Sequence, residues 1–302
     1  MPATASPDQA GTFVDADLLL RLGHVVRHLP DPSLAASGRP GGFPSRRRGN
    51  GLDVRDVRLY ADGDDFRHVD AMTTARTGRV HVRNFHDDRD RTAMLIADFR
   101  PPMLWGTRRR FRSVAAAEAL AMSGWRVIGA GGRVGLMVAG AADMAYVAPR
   151  ARDRAMAQVA GALAQAHEQA SEARSASCPP LDEQLERAAR LAPTGASLVI
   201  ATGLDHPGPD LDAVLQGLAR RFDVTVLLIT DRLERSGQAG AYAYYGEDNA
   251  THWTRLGASI GTLPDPRPAR LRALGVTVRR IDASADAADI GRALEEEVAD
   301  GL

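Results

Sequence analysis

The sequence predicts an α/β protein: a doubly wound, mostly parallel sheet with helices on both faces. "TAMLIAD" at 92–98 is a near-continuous apolar run, which suits a strand covered on both sides. "SLVIAT" at 197–202 and "VTVLLIT" at 224–230 repeat that character. Between such strands lie segments with apolar residues at helical spacing, and this alternation favours parallel pairing through helical crossovers.

Taken in order, residues 1–13 read as a disordered tail. Leu18, Leu19, Leu22, Val25, Val26 and Leu29 then form one helical stripe, with Asp15 or Asp17 as cap and Pro30 and Pro32 as stop. Residues 33–56, rich in Gly, Pro, Ser and Arg, read as a long loop or arm. "RVHVRNF" alternates, with Val80 and Val82 on one face, as an edge strand does. After "TAMLIAD" comes a helix over 113–128 that turns Val114, Leu120, Ala121, Trp125 and Ile128 inward. Strand "RVGLMVA" follows, then helices near 151–172 and 181–191, then "SLVIAT". A helix opened by Pro209 carries Leu211, Val214, Leu215 and Leu218 inward. "VTVLLIT", "VTVRRI" and a closing helix near 286–299 complete the pattern. The resulting division is a tail at 1–13, a helix, arm and distinctive segment at 14–90, and an α/β domain at 91–302.

Composition narrows the function. The formal net charge is zero, so no global field draws the chain to nucleic acid. The sequence contains no lysine, so all 38 basic residues are arginine, a compositional bias that weakens the meaning of any single arginine cluster. Cys178 is the one cysteine, which excludes a disulfide framework and a multi-cysteine zinc site. No stretch approaches the roughly 20 apolar residues of a membrane span, and no apolar leader opens the chain. These features predict a cytoplasmic protein that does not span a membrane.

Common catalytic and nucleotide motifs fail on their spacing. In "GAGGRVG", counting from Gly129, Val134 stands where a dinucleotide fingerprint needs its third glycine. A phosphate loop ending in GK[ST] is impossible without lysine, and no HExxH helix occurs. The triplets Arg46–Arg48 and Arg108–Arg110 read as solvated surface or as anchors for acidic groups. The most distinctive segment is "RLYADGDDFRHVDAMTTAR", where Asp64, Asp65 and Asp70 alternate with Arg58, Arg67 and Arg76 around a turn at Gly63. Such a set can form a charge-assisted network.

From Ser45 onward this region resembles the signature of the bacterial "domain of unknown function 58" family. Ser45, Gly49, Gly51, Asp53, Arg58, Tyr60, Gly63, Asp64, Asp65, Arg67, Asp70, Ala75 and Arg76 match it in order. Farther on, Asp231, Leu233, Glu234, Gly240 and Tyr242 are similar to the family's DPLE...G.Y segment. The resemblance implies a von Willebrand factor type A-like, Rossmann-like topology with an N-terminal helix and arm. It also implies a MoxR-type AAA+ ATPase as partner, because members are commonly encoded beside one.

In that fold the strand matching "TAMLIAD" normally ends in DxSxS, whose oxygens hold a divalent cation such as magnesium. Asp98 matches, but Arg100 and Pro102 stand at the serine positions. Thr202 aligns with a later acidic ligand, and Asp205 lies three residues on. Ala71 and Arg232 replace a family Trp and Pro. The resemblance, so altered, implies a vestigial metal site with no cofactor, and a non-enzymatic interaction protein with its signature residues in a binding or organising role. Two alternatives remain at this stage: a metal-dependent ligand site using Asp98, Asp205 and Thr202, and an enzyme acting at Asp64, Asp65 and Asp70.

Overall fold

The computed structural model describes residues 11–28, 54–61, 66–85, 92–140, 144–173, 178–235, 239–245, 251–257 and 264–295. The first helix, α1 (Ala16–His28), starts at Asp15, whose Oδ1 accepts from the Asp17 and Leu18 amides. A peripheral module follows: β1 (Val54–Leu59), α2 (Ala71–Thr77) and β2 (His81–Phe85), with β1 and β2 antiparallel. The predicted arm therefore ends in a strand at Val54, and its residues 33–53 lie outside the described residues.

The main body alternates β3 (Thr92–Asp98), α3 (Arg112–Gly129), β4 (Arg133–Ala139), β5 (Ala145–Ala151), α4 (Asp153–Glu172) and α5 (Leu181–Leu191). It continues with β6 (Ser197–Thr202), α6 (Leu211–Arg221), β7 (Asp223–Thr230) and the single turn α7 (Arg232–Arg235). A hairpin, β8 (Gly240–Tyr245) with β9 (Thr251–Leu256), precedes α8 (Arg267–Ala273), β10 (Thr277–Asp282) and α9 (Ala287–Ala293). The closing helix ends at Ala293, earlier than the predicted 299; Ile290 and Gly291 are its fully buried residues, and Ala287 and Ala293 pack half-buried against the core. Residues 296–302 lie outside the described residues.

Six strands form one sheet in the order β10-β7-β6-β3-β4-β5, parallel except for β5. Sequence reasoning missed β5, for a physical reason. Its side chains alternate between half-buried and exposed, and Pro149 lies within it, a combination tolerated at a sheet edge. In register, Leu95 of β3 sits between Leu136 of β4 and Val199 of β6.

Alternation along the strands divides the core in two. Leu95, Ala97, Leu136, Val138, Val199, Leu227 and Ile229 face α1, α3, α4 and α9. Met94, Ile96, Met137, Leu198, Ile200, Val226 and Leu228 face α5, α6 and α8. Helix α3 is buried on nearly every side, and its Ala115, Ala116, Ala117, Ala119 and Ala121 let neighbours approach closely. Trp125 fixes α1 to it, donating from Nε1 to the Leu19 carbonyl at 3.0 Å. Gly23 is required there, since a Cβ would lie 2.8 Å from the indole. Burial of Leu19 alone contributes about 1.5–3 kcal/mol.

Candidate functional site

The chain order of the strands reverses direction between β3 and β6, which opens a crevice at their carboxyl ends, where open α/β sheets place ligands. The loops that fill this crevice come from 99–111, 178–181, 203–210 and 231–235. Asp98 ends β3 with 1% of its surface exposed, and Arg100 turns back onto it with none.

The pair is bidentate. Arg100 Nε donates to Asp98 Oδ1 at 2.8 Å and Nη2 to Oδ2 at 2.9 Å. Its other donors reach loop carbonyls: Nη1 to Pro179 and His206 at 2.9 and 3.1 Å, and Nη2 to Asp205 at 2.8 Å. Thr202 Oγ1 adds a hydrogen bond to Asp98 Oδ2 at 2.7 Å, and accepts from the Leu204 amide at 3.0 Å. Burial pulls the Arg100 pKa down, but attraction and hydrogen bonding to Asp98 outweigh it and raise the value above that of free arginine.

Beside this pair lies a second guanidinium, also buried. Arg112 opens α3 and donates to Asp205 Oδ2 at 2.7 Å, to Glu234 Oε1 at 2.8 Å and to the Pro102 carbonyl. Trp105 stacks on it, with the ring centroid 4.7 Å from the guanidinium carbon. Burial raises the Asp205 pKa, Arg112 opposes the rise and Glu234 adds to it. Arg267 continues the chain of charges, reaching Glu234 at 3.1 Å, Asp265 at 2.9 Å and the Gly203 carbonyl at 3.0 Å.

Asp231 and Glu234 form a reciprocal cap on α7. The Asp231 amide donates to Glu234 Oε1 at 2.9 Å, and the Leu233 amide to Asp231 Oδ1 at 2.8 Å. Asp231 also accepts from the amide and hydroxyl of Thr107. The DPLE-like segment thus anchors the loop after β3.

The structure brings Asp98, Arg100, Thr202 and Asp205 together, with Pro102 contributing only its carbonyl. Asp231 and Glu234 join the same network. The described residues of the signature segment make their hydrogen bonds and ring contacts within the β1–β2 module. Asp70 caps α2, accepting from the Thr73 amide at 2.7 Å, and Arg76 is exposed. Tyr60 stacks against Phe66 with centroids 4.9 Å apart. Gly63, Asp64 and Asp65 lie outside the described residues. Arg58 and Arg67 belong to β1 and to a short turn at Phe66–His68.

Sequence reasoning missed Arg112, Arg267 and Asp265. Arg110, read as solvated surface or as an anchor for acidic groups, is buried and paired with Glu118 at 2.9 Å, which removes the first of those readings for this residue. Burial raises the Glu118 pKa against that pairing. The available signal was the run "RRRFR" directly before a helix, which the abundance of arginine concealed. Cys178 is a half-buried free thiol whose pKa is pushed up by burial.

A divalent cation, which the unaltered DxSxS motif of the resemblance would hold, does not fit these residues. Both Asp98 oxygens accept from Arg100, and Asp205 is tied to Arg112. Among the described residues no group of three or more His, Cys, Asp or Glu side chains is placed to hold a metal ion.

A family model described as "Protein of unknown function DUF58" matches residues 56–254, well over half of the chain. The chain belongs to this family. Uncharacterised proteins of Mycobacterium tuberculosis and Mycobacterium bovis are 36% identical to it over 105 residues. That match covers 34% of this chain and 32% of each relative, so the chain spans about a third of the length of the curated relatives it matches. A solved structure described as conserved hypothetical protein BatB, from Bacteroides thetaiotaomicron, is 14% identical with a TM-score of 0.41. It covers 68% of this chain and 99% of its own, a likeness too slight to assign a fold. Within this DUF58 chain the family match takes in most of the peripheral module, the crevice residues up to Glu234 and most of the β8–β9 hairpin, and Asp265 and Arg267 lie beyond it. Among the described residues no helix is long and apolar enough to cross a membrane.

Proposed function

We propose that this DUF58 protein is a non-enzymatic, cytoplasmic interaction domain of von Willebrand factor A-like topology. In this reading it serves a MoxR-type AAA+ ATPase as partner or adaptor in the assembly or maturation of a complex. The strand order supports the topology. Numbered from β3, the main sheet reads 3-2-1-4-5-6 with one antiparallel edge, the doubly wound order. Family membership supports the partner, since the ATPase is what the resemblance implies.

One observation carries the metal-independent, non-enzymatic part: the guanidinium of Arg100 is bound where a reactive or metal-holding crevice would need open ligands. Apart from Arg112 Nε, which is buried without a partner, the guanidinium donors beside it bond carboxylates and loop carbonyls. Such a network holds shape, which is what a docking surface requires.

Co-purification tests the reading. With a MoxR-type AAA+ protein from the same genome as prey, the purified chain should retain that protein in at least one nucleotide state. Failure to retain it with ATP, with ADP and without nucleotide would reject the proposal.

A further inference from the structure

We propose that the carboxyl ends of β3 and β6 form an internal receptor for a guanidinium cation. Arg100 fills it in cis, and its occupancy sets the conformation of the loop at 203–208. This goes beyond the interaction role and does not depend on the identity of any partner.

The acceptors are arranged for a guanidinium. All five N–H groups of the Arg100 side chain have partners: the two oxygens of Asp98 and the carbonyls of Pro179, Asp205 and His206. Three of those acceptors are carbonyls from two segments far apart in sequence, so the cation joins both to the end of β3. A lysine ammonium has three donors and could not reproduce the planar fork.

The loop that receives these bonds is under backbone constraint. Leu204 and His206 have φ of 62° and 42°, values uncommon for residues with a Cβ. At Gly203 a Cβ would come within 2.4 Å of Asp205 Oδ2 and 2.7 Å of Arg112 Nη1. Gly208, at φ 83°, packs on Asp182, where a Cβ would lie 2.1 Å from Oδ1. Such a conformation persists only where surrounding groups over-determine it. Arg100 supplies that determination from below, while the Leu181 and Asp182 amides bond the His206 and Pro207 carbonyls from the side. The Asp210 amide donates to Asp182 Oδ2 at 2.9 Å. These three amides report the state of the loop.

Hydrogen exchange on the full chain decides the matter, comparing wild type, Arg100→Ala and Arg100→Lys. In Arg100→Ala the Leu181, Asp182 and Asp210 amides should lose about tenfold or more in protection relative to Leu95 and Ile96 of β3. Guanidinium chloride at roughly 20 mM, far below denaturing concentration, should restore most of that loss by mass action, and sodium chloride at equal ionic strength should not. Arg100→Lys should show an intermediate loss that guanidinium leaves unchanged. Wild-type protection of the three amides in Arg100→Ala, or equal restoration by the two salts, would overturn the proposal. Should Arg100→Ala fail to fold, Arg100→Lys decides alone: selective loosening of the loop amides supports the receptor, and wild-type protection refutes it.

Discussion

The crevice and the peripheral module at 54–85 carry the two halves of the family resemblance, and they are built in opposite ways. Around the crevice Asp98, Arg100 and Arg112 lie at or below 1% exposure. In the module only Asp70 and Val82 are buried among the described side chains, while Phe66 and Met72 are 69% and 83% exposed. The crevice therefore concentrates charge at buried and half-buried positions and pairs most of it internally. The module leaves apolar surface outside and contributes little to the main core. Substitutions in the first region should act on folding, and those in the second on what the protein meets.

The largest expected effect is in the crevice. Asp98→Ala strands the Arg100 guanidinium without its carboxylate, and loss of one partner of a buried pair costs about 3–5 kcal/mol. Urea unfolding should show a fall of that order. A change below about 1 kcal/mol would mean that the pair is structurally incidental.

Acid sensitivity of the crevice network comes next. Burial pushes the Asp265 carboxyl up, but its hydrogen bonds from Arg267 outweigh this, and the folded pKa lies below the ordinary value. A depressed carboxylate contributes stability that is present above the unfolded pKa, near 3.9, and is lost as pH falls through the folded value. Asp205, whose pKa is raised first of all by burial, acts in the opposite sense and gains stability on protonation. Asp265→Asn should flatten the acid loss in denaturation curves recorded between about pH 6 and pH 3. An unchanged slope would remove Asp265 from the network's energetics.

Smaller effects belong to the module. Asp70→Ala deletes the cap of α2 and should cost about 1 kcal/mol locally, read as faster amide exchange in Thr73 and Thr74 with the sheet amides unaffected. Phe66→Ser combined with Met72→Ser should change global stability by less than about 0.5 kcal/mol, since both side chains are exposed. The same double variant should weaken capture of the ATPase. Full capture by it would direct attention away from the module and toward the crevice loops.

Much of the main sheet was legible because burial on both faces leaves an unmistakable apolar run, as in "TAMLIAD" and "VTVLLIT". The edge strand β5 was not, because half of its side chains meet water and Pro149 interrupts the pattern. At the site, Asp98 was legible as a strand end and Arg100 as a departure from the expected serine. Their partners were not. Arg100 meets the His206 carbonyl across 106 residues, and Arg112 meets Glu234 across 122. Pairings at such separations are fixed by topology and leave no local spacing to read. The absence of lysine deepens the difficulty, since buried and solvated cations are all arginine.

The most direct test of the central claim, that an arginine and not a metal occupies the crevice, is thermal unfolding with and without divalent cation. The melting temperature of the wild-type chain in EDTA should equal that in millimolar magnesium or manganese. A rise with either metal that Asp98→Ala abolishes would contradict the claim and restore the metal-dependent reading.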